Sequence, residues 1–284
     1  MVVGTIKYEP KLKDRLGSVD LNVKDLDRAR EFYERVIGLK VLDIKEDSLT
    51  FGADGGTPLV TVHTNENVAN RPARTTGLFH LAVLLPDRKK LAHTLKHLLA
   101  SGYPLHGASD HQFSEAIYLA DPDGNGIEIY ADTDPKTWKQ EENGWYVGGT
   151  HPLDVEGLLK EAPADGWTGM SAEVKIGHLH LQVADIQEVE AFYVDILGFD
   201  IVTKDPRMLF VSKDGYHHHI GLNTWTGTNL PKPPKEAVGM KQFTVFFTED
   251  EYHAAKEALN VSGAENKLQV EDPSGNAIVI VKKQ

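Results

Sequence analysis

The chain has 284 residues and a formal charge of −12, with a pI near 5.5. That acidity argues against the basic face that nucleic acid requires and against an anionic membrane surface as partner. With no cysteine, disulfides and thiolate chemistry are excluded and a reducing cytosol fits. The hydrophobic share is 40%, and ten Phe, nine Tyr and four Trp supply packing bulk for one large domain or two of ordinary size. The opening "MVVGTIKYEPKLKD" has no apolar core of a secretory signal, and no run of about 18 apolar residues appears. A soluble, cytoplasmic protein is expected.

In chain order the first element is a short alternating strand, "SVDLNV", followed by Asp25. A carboxylate there suits the N-cap of a helix. The amphipathic stretch that follows carries Phe-Tyr seven and eight residues after the Asp and stops at Gly38. Two further strands, "DSLTFGA" and "TPLVTVHT", complete the unit. A second unit has the same outline, with "LFHLAVLLPDRKKLAHTLKHLLASGY" followed by the hairpin "EAIYLADPDGNGIEIYAD". Residues 133–174 break the pattern: they are rich in Pro, Gly and charge, hold one short helical stretch, "VEGLLKEA", and read as a linker that Trp138, Trp145 and Trp167 pin to the domains. The third unit starts at "GHLHLQV", repeats the Asp, Phe-Tyr and Gly spacing through Asp185 and Gly198, and ends with "RMLFVSK" and "HHHIGLN". The fourth consists of "QFTVFFTEDEYHAAKEALNVSG" and "KLQVEDPSGNAIVIVKK". The expected fold is α+β: four βαβββ modules over 14–65, 76–132, 175–224 and 239–283, two in residues 1–132 and two in 175–284. They form two cup-shaped half-barrel pairs.

The repeat aligns the chain with itself. Counting seven residues back from Asp25, Asp87, Asp185 and Asp250 gives Ser18, His80, His178 and Phe243. Counting seven forward from the Asp-Pro turns at Asp121 and Asp272 gives Glu128 and Val279. A lone strand histidine is ordinarily structural. Two imidazoles and one carboxylate at repeat-equivalent strand positions instead match the two-His-one-carboxylate face that binds a divalent metal and leaves neighbouring positions open.

The repeats, the Asp-x₆-Phe-Tyr-x₄-Gly signature and the Asp-Pro-x-Gly-Asn hairpins resemble the vicinal-oxygen-chelate superfamily of glyoxalases, bleomycin-binding proteins and extradiol dioxygenases. The likeness covers nearly the whole chain outside the linker and is strongest to bacterial catechol-2,3-dioxygenase-like proteins. It implies that His178 is the lone ligand of one unit and that His80 and Glu128 are the pair from its partner. It also implies that His218, in "HHIGL" with Gly221 where relatives carry Ala, is an acid/base group, and that Tyr118, ten residues before Glu128, is a catalytic tyrosine. His111 and His217 are candidate supporting groups around the site. In the histidine run, strand alternation would put His217 and His219 on one face and His218 on the other. The resemblance departs in one respect: the fourth unit, with Phe243 and Val279, cannot bind metal, so the site closes only if units 2 and 3 face each other. Pairing 1+2 and 3+4 would strand His178.

The function implied is an extradiol ring-cleaving dioxygenase acting on a catechol-like aromatic with O₂ and using Fe(II), with Mn(II) or another divalent metal not separated by ligand type. The alternatives are a glyoxalase-type metal-dependent lyase, isomerase or transferase, and a non-catalytic binding protein. No nucleic-acid or membrane partner is expected. A homo-oligomer is compatible with the plan, although four units in one chain can form both cups.

Overall fold

The computed structural model describes residues 7–11, 14–261 and 265–283. Residues 1–6, 12 and 13 of the opening stretch, and residues 262–264 of the fourth unit, lie outside them. The first unit runs β1 (Leu16–Asn22), α1 (Leu26–Glu31), β2 (Lys40–Ile44), β3 (Ser48–Gly52) and β4 (Val60–His63). The second runs β5 (Gly77–Leu85), α2 (Arg88–Ser101), β6 (Gly107–Asp110), β7 (Ser114–Ala120) and β8 (Gly126–Asp132). The intervening segment contributes β9 (His151–Pro152) and α3 (Val155–Lys160). The third unit runs β10 (Lys175–Gln182), α4 (Ile186–Glu190), β11 (Asp200–Asp205), β12 (Met208–Ser212) and β13 (Ile220–Asn223). The fourth has β14 (Gly239–Phe247), α5 (Glu249–Ala258), β15 (Lys267–Glu271) and β16 (Ala277–Lys282), which is one strand fewer than expected among the described residues.

The strands form two open, mixed sheets. One is ordered β15-β16-β14-β1-β4-β3-β2 and the other β11-β12-β13-β10-β5-β8-β7-β6-β9. Unit 1 is therefore joined to unit 4 through antiparallel β1 and β14, and unit 2 to unit 3 through antiparallel β5 and β10. One continuous apolar cluster, drawn from all four units, lies behind both sheets.

The repeated signatures hold these sheets together. Asp25 caps α1 by accepting from the Arg28 N–H at 2.9 Å, and Asp185 caps α4 by accepting from Gln187 at 2.7 Å and Glu188 at 3.0 Å. Both helices then widen into π-type turns, Phe32–Val36 and Ala191–Ile196. Each stops at a left-handed glycine, Gly38 or Gly198. The turns bury Tyr33 and Tyr193, whose hydroxyls donate to Asp121 (3.2 Å) and Asp272 (3.0 Å) at the Asp-Pro hairpins of units 2 and 4. Each of these buried aspartates also accepts from the backbone and side chain of an asparagine four residues on, Asn125 or Asn276. The helix signature of one sheet thus docks on the turn signature of the other, and the Glu128 hairpin is one of the two fixed this way. A second tie is ionic: buried Arg15 pairs with Asp214 (2.7 Å) and Glu251 (2.6 Å), joining units 1, 3 and 4.

Two expectations change. The helix of unit 4 is capped by Thr248 in a reciprocal capping box with Glu251, not by Asp250, so counting from Asp250 misplaces the match to His80. Strand pairing shows the true equivalent. His80 lies opposite His180 across β5 and β10, and Gln242 lies opposite Asp20 across β14 and β1. Phe243 is instead core. The second cup holds Gln242 donating to Asp20 at 2.7 Å, with Val279 where the first cup has Glu128. The segment 133–174 is also more than a tether: β9 extends the sheet of units 2 and 3, Trp138 packs on Tyr146, Tyr216 and His217, and Trp167 stacks on His97 at 4.4 Å. Among the described residues, no helix is long and apolar enough to cross a membrane.

If the tyrosine–aspartate contacts hold the sheets in place, Tyr33→Phe should cost about 1 kcal/mol. The melting temperature should then fall by about 2–4 °C, with Tyr193→Phe similar, as measured by calorimetry.

Candidate functional site

The pairing of β5 with β10 sets the site. A register shift between Ile176 and His178 places Gly177 at a bulge, where a Cβ would collide with the Tyr130 hydroxyl. On the other side β8 runs parallel to β5 and brings Glu128 beside Ala82. His80, Glu128 and His178 are all buried, and one ligand-capable atom from each lies within 4.8 Å of the other two. Glu128 Oε2 is 3.0 Å from His80 Nε2 and 3.4 Å from His178 Nε2, and the two imidazole centroids are 5.5 Å apart. Despite its short approach, His80 Nε2 lacks hydrogen-bond geometry to any partner, as does His178 Nδ1. Leaving a buried polar atom unpaired costs about 1–3 kcal/mol. His80 Nε2, unpaired although it converges on Glu128, is what a shared third atom would satisfy.

The protonation states suit that role. Burial pulls His178 down to about 4, against the opposing attraction of Glu128. Burial pushes Glu128 up, but the neighbouring His178 and His80 outweigh it and hold the carboxyl well below its usual range. At neutral pH His178 is a neutral donor beside a carboxylate. This N,N,O set fits a divalent transition metal such as iron or manganese.

His217, His218 and His219 precede β13 rather than lie on it, so strand alternation does not govern them, and all three are buried. The rings of His217 and His218 touch, with Nδ1 atoms 2.8 Å apart. His217 Nε2 lies 2.9 Å from Asp132 Oδ1, which can only accept. With both rings neutral, His217 donates to Asp132 and accepts from His218 Nδ1–H, leaving His218 Nε2 as a bare lone pair. His218 packs on His178 with centroids 4.2 Å apart and stacks on Phe210 at 4.4 Å.

Tyr118 lies opposite Glu128 across β7 and β8. Burial and the Glu128 charge raise its hydroxyl far above the ordinary tyrosine value, so it keeps its proton. His111 Nδ1 is 2.6 Å from the Gly149 carbonyl, so this nitrogen carries the hydrogen. In the neutral ring Nε2 then accepts from Tyr118 at 2.6 Å. Gly149 belongs to the segment between the two halves, which therefore contributes to the wall.

These groups line one cavity of about 350 Å³ together with Phe79, Phe113, Phe210 and Trp225. Phe79 (40% exposed) and Trp225 (41%) form its rim. The structure brings His80, Glu128, His178, His218, Tyr118 and His111 to this cavity, with His217 and Asp132 behind His218. Sequence reasoning passed over His180, Asp132 and the aromatic rim. His180 was accessible by its i+2 spacing from His178 on one strand; the other residues come from separate loops and had no spacing signal.

Stability should record the buried imidazole. An unfolded histidine takes up its proton near pH 6.5, while native His178 resists until about pH 4. In the metal-free protein His178 should therefore add little pH dependence above about 6.5 and cost stability as pH falls below it toward about 4. Replacing His178 by Phe should remove about 2 kcal/mol of the loss between pH 7 and pH 5, as measured by urea unfolding.

The profile of the Glyoxalase/Bleomycin resistance protein/Dioxygenase superfamily matches residues 15–129 and 175–280. A catechol-2,3-dioxygenase of Bacillus subtilis (strain 168) is 42% identical over 273 residues, covering 93% of this chain and 95% of that protein. A Bacillus subtilis protein whose structure was solved as a candidate dioxygenase superposes with a TM-score of 0.65 at 15% identity, over 95% of this chain and 86% of that one. Glyoxalase I of Zea mays superposes with a TM-score of 0.57 at 17% identity, over 94% and 92%. The chain belongs to the glyoxalase/bleomycin resistance/dioxygenase superfamily.

Proposed function

We propose that this chain is an extradiol ring-cleaving dioxygenase that uses O₂ on a catechol-like aromatic, with a metal held by His80, His178 and Glu128. The observation that carries the reading is the buried convergence of these three donors beside an aromatic-walled cavity. The 42% identity to a catechol-2,3-dioxygenase over nearly the full chain supports it. Fe(II) is the metal proposed, with Mn(II) compatible with the same donors. When bound, the metal would supply Lewis-acid attraction for two adjacent substrate oxygens and open positions beside them.

The chain's own residues do the rest. His218 Nε2, its lone pair exposed by the Asp132–His217–His218 chain, takes a hydroxyl proton from the catechol. Tyr118 keeps its proton directed at His111, so its oxygen is available to accept from the substrate hydroxyl. Phe79, Phe113, Phe210 and Trp225 flank the ring and limit water. A single carboxylate ligand with a free imidazole beside it favours this chemistry over the glyoxalase type, whose sites often carry more carboxylates.

Protein purified without oxygen should hold about one iron or manganese per chain and cleave catechol to a yellow extradiol product, read by metal analysis and absorbance. His80→Ala or Glu128→Ala should lower metal content at least about tenfold. His218→Ala should keep the metal and lower kcat by about 10²–10⁴. Protein purified without oxygen that binds neither iron nor manganese, even when supplied with them, and cleaves no member of a catechol panel would contradict the reading, as would unchanged metal content in Glu128→Ala.

A further inference from the structure

One group in the cavity has no place in that chemistry. His180 follows His178 by two residues on β10, so both side chains leave the same face. It is 3% exposed, and its Nε2 is buried without a hydrogen-bond partner. The ring sits edge-on to His80 at 5.0 Å, beside Trp225 at 4.9 Å and Phe79 at 5.3 Å. It therefore lies on the His80 side of the site, while His218 lies against His178. Its nitrogens are not among the convergent donors.

Space is reserved for this ring. A Cβ on Gly221 would lie 3.0 Å from His180 Cδ2 and 3.1 Å from its Cγ, so the glycine makes room for an imidazole. The fold does not need a histidine there, because the equivalent position in the other sheet is Asp20. The cavity's charge is equally selective. Among the described residues that line it there is no Lys or Arg, and its one carboxylate is Glu128.

We propose that His180 is a specificity-determining residue: its unpartnered Nε2 hydrogen-bonds a neutral polar substituent, such as methoxy, hydroxyl or carbonyl, on the catechol ring, and the cavity takes uncharged catechols over carboxylate-bearing ones. This rests on the dioxygenase reading and adds the substrate class. A carboxylate on the substrate ring would find no Lys or Arg among the described lining residues to pair with, and a buried unpaired charge is costly. An apolar substituent would leave Nε2 unsatisfied, which is the situation in which a site built to hydrogen-bond discriminates.

The test is anaerobic calorimetric titration of the metal-loaded protein with 3-methoxycatechol, 3-methylcatechol and 2,3-dihydroxybenzoate, with metal content measured in parallel. Wild type should bind the methoxy ligand about tenfold tighter than the methyl ligand, the worth of one hydrogen bond, and the carboxylate weakest. His180→Phe, which keeps ring shape among aromatic neighbours, should abolish the methoxy preference while leaving metal content and 3-methylcatechol affinity within about twofold. His180→Gln should restore part of the preference. Equal weakening toward all three ligands, or a methoxy preference that survives His180→Phe in an enzyme that still cleaves catechol, would overturn this proposal alone. Wild type that holds no metal and binds none of the three would overturn the dioxygenase reading and this proposal with it.

Discussion

The site depends on one strand pairing, β5 against β10. That antiparallel crossing sets His80 and His178 on one face with 5.5 Å between ring centres, and parallel β8 then places Glu128 beside them. Pairing within each half of the chain would have separated His178 from the other two. The pairing is supported at a distance: buried Tyr33 and Tyr193 hold the hairpin turns of units 2 and 4, so the signatures that look like fold decoration fix the strand that carries Glu128. Strand-borne side chains would suit metal binding because their backbones are held by ladders on both sides.

The two cups show what is scaffold and what is chemistry. Both keep the capped helix, the left-handed glycine, the Asp-Pro-x-Gly-Asn turn and the crossing of two central strands. At the crossing one has His80, His180 and Glu128; the other has Gln242, Asp20 and Val279. Gln242 and Asp20 satisfy each other, whereas His80 and His180 each keep a buried nitrogen without a partner. The second cup also keeps one such atom, His63 Nε2 at 3.5 Å from Asp20, so the first cup is set apart by its convergent pair of imidazoles and one carboxylate.

Much of this was legible in the sequence because repetition supplied its own alignment. Four units, the caps at Asp25, Asp87 and Asp185, and the contrast of Glu128 with Val279 could be read from spacing. Spacing misleads where it is not the governing constraint. In unit 4 the cap moved to Thr248, so counting gave Phe243 where strand pairing gives Gln242. The histidine run lies in a loop, so alternation put His217 and His218 on opposite faces although their rings meet. His111 is held by Gly149 and His217 by Asp132, contacts between segments far apart in the chain that no local pattern encodes. Which units would pair also depended on long-range ladders, to which residue periodicity is blind.

Anomalous diffraction at the iron edge from crystals loaded under nitrogen tests the central claim most directly. The account predicts one strong peak about 2 Å from His80, His178 and Glu128, open toward the aromatic cavity. A peak elsewhere, or density that leaves any of the three side chains out of the coordination, would contradict it.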